Sequence, residues 1–186
     1  IVRALMRLAR GDDAGAVRDA ERALELGRAL ADPQAVYFVL PACAYVFARA
    51  GEPGRATPPA RELIDALERG VDVQFAVINF PLFAAVARDL GLLDEVVDAL
   101  AGSPETPWIE VVRRYGAGDF AGAAELLRQI GTRPDEAEAR LRAAEQLAAE
   151  GRGGAADEQL RQALAFYRSV GATRYVLLMQ DYGAPV

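Results

Sequence analysis

Five glycines constrain this chain more than any other feature. Gly11, Gly51, Gly91, Gly118 and Gly151 stand between apolar stretches, and each is followed at fixed distances by the same kinds of residue. Five residues on are Ala16, Ala56, Val96, Ala123 and Ala156. Four further are Ala20, Ala60, Leu100, Leu127 and Leu160, and three further again are Ala23, Leu63, Ser103, Ile130 and Ala163. Such steps lay one small or apolar stripe along a helix that begins just after each glycine. Seven residues before the glycines come Ala4, Ala44, Ala84, Val111 and Ala144, small enough to let a preceding helix approach closely. The unit is helix, glycine turn, helix. The expectation is all-α: about ten helices in five antiparallel pairs, stacked as one helical-repeat domain over residues 1–186 with a short C-terminal segment, "TRYVLLMQDYG".

Local punctuation agrees with that register. In "ARGDDAGAV", Asp12 or Asp13 can cap a helix, and Asp32–Pro33 opens the next. "SPETPW" places Thr106 before Pro107, and "TRPDEAEARL" places Thr132 or Arg133 before Pro134, with Asp135 and Glu136 favouring a helix N-terminus. Gly171 stops the helix of "GGAADEQLRQALAFYRSVG". Residues 93–101 read as a shortened helix. Pro58 and Pro59 fit only a first turn, so their helix should begin near Ala56 or Thr57. "AVYFVLP" and "VQFAVINFP" are also compatible with strands ending at proline, but the corresponding "DEAEARLRAAEQLAAEG" is strongly helix-forming and does not alternate.

Composition excludes several kinds of chemistry. The chain holds 21 basic and 27 acidic residues, a net charge of −6, which argues against non-specific binding to nucleic acid or anionic membranes. It has no His, so the commonest general base and metal ligand near neutral pH are missing. Cys43 is the only cysteine, in an apolar run; it reads as a buried small hydrophobe and fits a cytoplasmic setting. Residues 33–48, the longest uncharged stretch, are too few for a membrane span of about 20. "GDDAG" lacks the alternating oxygens of a calcium loop, and "GRGGA" lacks the Lys-Ser/Thr of a phosphate loop. "VVRRYG" and "FYRSVGATRY" pair Arg with Tyr as phosphate or nucleic-acid sites do, yet few basic residues surround them, and solvated helix edges explain them as well. No catalytic triad, Cys–His pair or metal cluster can be assembled, so neither catalysis nor a cofactor is expected.

The register resembles the tetratricopeptide repeat, in which a loop glycine, often followed by Asp and an aromatic, precedes an alanine by five residues. "YGAGDFAGAAELLRQI" carries it through Gly118, Asp119, Phe120 and Ala123, and "LAAEGRGGAADEQLRQAL" through Gly151, Ala156, Leu160 and Ala163. The aromatic after the glycine is present in one unit of five. "AAEGRGGAADEQLRQALAFYRSVGATRYV" further resembles the C-terminal tails of large bacterial signalling proteins. These join a class III adenylate/guanylate cyclase domain, or a LuxR-type DNA-binding domain, to an ATPase module and a helical-repeat tail. The resemblance implies a right-handed superhelical array and a non-catalytic regulatory role, with the chain the C-terminal piece of a longer cytoplasmic protein. Its partner would be a protein, a peptide or the parent's other domains, with no contact to nucleic acid or membrane. The alternative is an effector- or small-ligand-sensing region of a LuxR-type regulator.

Two prolines mark the candidate binding face. Pro41 and Pro81 both precede a register glycine by ten residues inside apolar runs. A proline there deprives the carbonyl of Tyr37 or Val77 of its helical partner, so each helix should either kink or begin anew. Phe38, Pro41, Tyr45 and Arg49 recur at helical spacing, and Ile78 and Pro81 hold the first two of those places in the next unit. Aromatics beside Arg in a groove are common anchors for a peptide or partner helix. The same stripe is also compatible with plain inter-helix core.

Overall fold

Each register glycine turns the chain between two helices. All five have positive φ, from 70° to 84°, where a side chain would strain the backbone. They join α1 (Val2–Ala9) to α2 (Asp13–Ala29), α3 (Pro33–Arg49) to α4 (Pro53–Glu68) and α5 (Phe80–Asp89) to α6 (Leu93–Ala99). They likewise join α7 (Pro107–Gly116) to α8 (Phe120–Ile130) and α9 (Arg133–Ala149) to α10 (Gly153–Ser169). A 3-10 segment, Gln74–Asn79, leads into α5, and the C-terminal segment forms a further helix, α11 (Thr173–Asp181). The computed structural model describes residues 1–30, 32–72 and 74–181, the last two as backbone only, and contains no strand among them.

The small and apolar register positions do what their spacing requires. All residues seven before, five after and nine after the glycines are buried. At the twelfth place Leu63 and Ala163 are buried, Ala23 and Ile130 are half-buried, and Ser103 lies past the end of α6. Two helix starts repeat a Gly-Asp-x-x-Gly device. Asp12 accepts from the amide of Gly15 and Asp119 from that of Gly122, both at 2.9 Å. A Cβ at Gly122 would lie 2.0 Å from the capping carboxylate. The glycine is what lets the cap fold back over the first turn.

The prolines correct two expectations. α4 begins at Pro53 rather than near Ala56 or Thr57, and Pro58 and Pro59 sit inside it. The carbonyls they deprive belong to Gly54 and Arg55, on an exposed first turn where water replaces the missing amides. Pro41 and Pro81 share a register place but not a role. Pro81 stands in the first turn of α5, where no amide is needed, whereas α3 runs unbroken through Pro41. Asn79 donates from its side chain to the Phe38 carbonyl beside that gap at 2.9 Å, tying the 3-10 segment to α3.

First helices pack in succession, α1 on α3, α3 on α5 and α5 on α7, with their partners alongside. The order then changes. α9 packs on α5 and α8, and α11 on α10 and back on α1. Buried side chains form two clusters. The larger runs from Ala4 to Ala143, and the smaller joins α9, α10 and α11.

Candidate functional site

α9 serves both clusters. Ala139 and Ala143 enter the larger, and Ala137, Leu141 and Ala144 enter the smaller. The seam between them carries Glu138 and Arg142, one helical turn apart and both buried. Burial alone would raise the carboxyl pKa of Glu138, but the guanidinium groups of Arg49 and Arg142 outweigh it and hold that pKa at about 2. Arg49 reaches Glu138 Oε1 and Asp89 Oδ2, each at 2.6 Å, and Arg142 reaches Glu138 Oε1 at 2.7 Å and Glu145 at 2.9 Å. Arg88 pairs with Asp89 at 3.1 Å. Carboxylates and guanidiniums from α3, α5 and α9 thus alternate through one network. Arg49 and Asp89 hold the same register place, two residues before their glycines.

The network continues through tyrosines. The Tyr45 hydroxyl donates to Glu138 Oε2 at 3.2 Å and meets the Tyr175 hydroxyl at 2.8 Å. Tyr175 stacks on Tyr167 with centroids 4.5 Å apart. Burial raises the pKa of Tyr45 and Tyr167 and pushes that of Tyr175 up to about 12, so all three stay neutral. Arg49 Nε is buried without a hydrogen-bond partner, and its guanidinium lies 5.0 Å from the centroid of the Tyr45 ring, which offsets part of that deficit. Arg174 on α11 binds both Asp13 and the Arg49 carbonyl, closing α11 onto α2 and α3.

Beside this seam lies a cavity of about 340 Å³ with walls from α1, α5, α9, α10 and α11 and with Tyr45 of α3 at its base. Leu5, Met6, Leu82, Phe166 and Val170 make it apolar. Asp135 on α9 also lines it, and burial pushes its carboxyl up to about 6. A second, more open groove of about 530 Å³ lies along α2 and α3, with Leu26, Leu30, Phe38 and Phe75 among its walls. Leu30 is 69% exposed and Leu26 48%.

The six residues of the candidate binding face do not form one exposed surface. Pro41, Tyr45 and Pro81 are buried, and Arg49 is held in the ion-pair seam. Tyr45 and Arg49 face α9 and α11, where they meet Glu138, Tyr175 and Arg174. Phe38 and Ile78 remain exposed, at 38% and 50%. Glu138 holds their register place in the fifth unit, thirteen residues before its glycine, where a charged residue does not extend the apolar stripe. Its i,i+4 relation to Arg142 was the available signal. Cys43 is buried, and burial raises its thiol to about 12. Among the described residues no group of three or more potential metal ligands gathers, and no helix is long and apolar enough to cross a membrane. Compared with protein-family models, with curated proteins and with solved structures, the chain matches none.

Proposed function

We propose that this chain is a non-catalytic regulatory scaffold, a right-handed, superhelical, tetratricopeptide-like array at the C-terminal end of a large cytoplasmic bacterial signalling protein. The parent would be one that carries an adenylate/guanylate cyclase with its ATPase module, or a LuxR-type DNA-binding domain. The observation that supports it is the apolar groove along α2 and α3, with Leu26, Leu30 and Phe38 exposed on its walls. Such side chains held at the surface suit docking of a peptide or of another domain of the parent chain. α3 carries Phe38 in the groove and Arg49 in the seam, about 16 Å apart along one helix axis. A partner that shifts α3 would therefore be felt at α5, α9 and α11. The test supplies the parent's catalytic or DNA-binding domain in trans and measures association by calorimetry. The double variant Leu30→Glu, Phe38→Glu should lose binding at least tenfold with an unchanged far-UV circular dichroism spectrum. Undiminished binding by that variant would refute the groove as the docking site.

The cavity beside the seam favours a second reading, in which the chain is the effector-sensing region of a LuxR-type regulator. Its volume falls at the low end of the range of about 300–1,000 Å³ common for small-molecule sites.

A further inference from the structure

The cavity has a one-sided chemistry. Its walls are aliphatic and aromatic, and the residues with polar side chains among them are Asp135, Glu138, Tyr45, Tyr167 and Tyr175. No Arg lines it. Glu138 already has Arg49 and Arg142 as counter-charges, and Tyr45 donates to it. Asp135 differs. Among the described residues no cation forms an ion pair with it; burial is its largest perturbation, and the Thr132 hydroxyl and its own backbone amide offset that only in part. Arg133, two residues earlier, lies 5.3 Å from the centroid of the Phe166 ring and is not part of the lining. Asp135 is also an acidic residue in the first turn of α9, a place that favours a carboxylate without any ligand. The helix terminus alone would therefore prove nothing. The apolar volume and the aromatic walls beside it are independent of that role.

We propose that this cavity binds a small apolar organic cation, an aryl- or alkylammonium. Its charged nitrogen would pair with Asp135 against the rings of Phe166 and Tyr167, and its apolar part would lie on Leu5, Met6, Leu82 and Val170. A cation there supplies the counter-charge that burial denies the carboxylate, and aromatic faces attract it further. A neutral ligand of the same shape gains the apolar contacts only. An anion meets two carboxylates and no guanidinium inside the walls. The inference rests on the effector-sensing reading and is independent of the groove on α2 and α3.

Calorimetric titration of the 186-residue chain with three probes of matched size tests it: phenethylammonium, 2-phenylethanol and 3-phenylpropanoate. The ammonium should bind at least about tenfold more tightly than the alcohol, as expected for a charge-assisted hydrogen bond, and the carboxylate should bind most weakly. Asp135→Asn should remove the preference for the ammonium and leave the alcohol unchanged. Met6→Trp, at an exposed position on the rim, should block all three without touching the core. Equal affinity for ammonium and alcohol, preference for the carboxylate, no binding of any probe, or ammonium binding that survives both substitutions would each overturn the proposal. A chain that ignores the ammonium but still captures a parent domain through Phe38 would fail this inference alone.

Discussion

Replacing Glu138 by glutamine removes one charge from the middle of the seam and little volume. Arg49 and Arg142 then stay buried with Asp89 and Glu145 as their remaining carboxylates. The cost follows by two routes. The carboxyl titrates near 2 in the folded chain against an ordinary value of 4.5. A gap of that size corresponds to about 3 kcal/mol of stability at neutral pH. Breaking a buried ion pair from one side costs about 3–5 kcal/mol in other proteins. The routes agree, and for a chain of this length they imply a melting temperature lower by roughly 6–12 °C. The sign with pH is also fixed. A carboxyl whose folded pKa is depressed stabilises fully above its unfolded value and loses that contribution as pH falls toward the folded one. Urea unfolding followed by circular dichroism should thus show a gap between wild type and Glu138→Gln of about 3 kcal/mol at pH 7, narrowing to about 1 kcal/mol at pH 3. A gap under about 1 kcal/mol at pH 7, or one that does not narrow in acid, would refute the reasoning.

Two further substitutions probe the backbone. Pro41→Ala restores an amide to α3. An interior proline costs about 3 kcal/mol, and losing the buried ring costs about 1–2, so the variant should gain about 1 kcal/mol in urea unfolding; a loss would show that ring packing prevails. Gly122→Ala should destabilise by about 1 kcal/mol by displacing the Asp119 cap, whereas Gly154→Ala, with nothing near its Cβ, should stabilise by up to about 1 kcal/mol. Melting curves that rank the two glycine variants the other way would contradict the capping geometry.

The helical pairs were legible in the sequence because their determinants are local. A turn that needs positive φ selects glycine, and two helices that touch closely select alanine at the contact, so Gly118 and Ala123 mark a unit by themselves. Pro58 and Pro59 misled because their cost depends on whether the deprived carbonyls reach water, which only the exposed start of α4 decides. Tyr45 and Arg49 were visible as a pair, but which way they face depends on α9, some 90 residues further on: Glu138 is separated from Arg49 by 89 positions. A helix rich in Glu and Arg reads as solvated until two clusters are found on either side of it. Nor could spacing foresee the return of α11 to the first helix pair, where Arg174 meets Asp13 of α2 across 161 positions.

The charges on α9 also decide how its surroundings can move. An apolar contact between helices tolerates sliding, because one methyl group is much like the next. A guanidinium held by two carboxylates does not. Shifting α9 by one residue would carry Glu138 away from Arg49 of α3 and Arg142 away from Asp89 of α5, leaving Arg49 and the α9 charges short of partners in a site that water does not reach. The seam therefore behaves as a keyed joint, stiff to shear along the helix axes. Displacement of α3 or α5 should carry α9 with it rather than be dissipated as slip between helices.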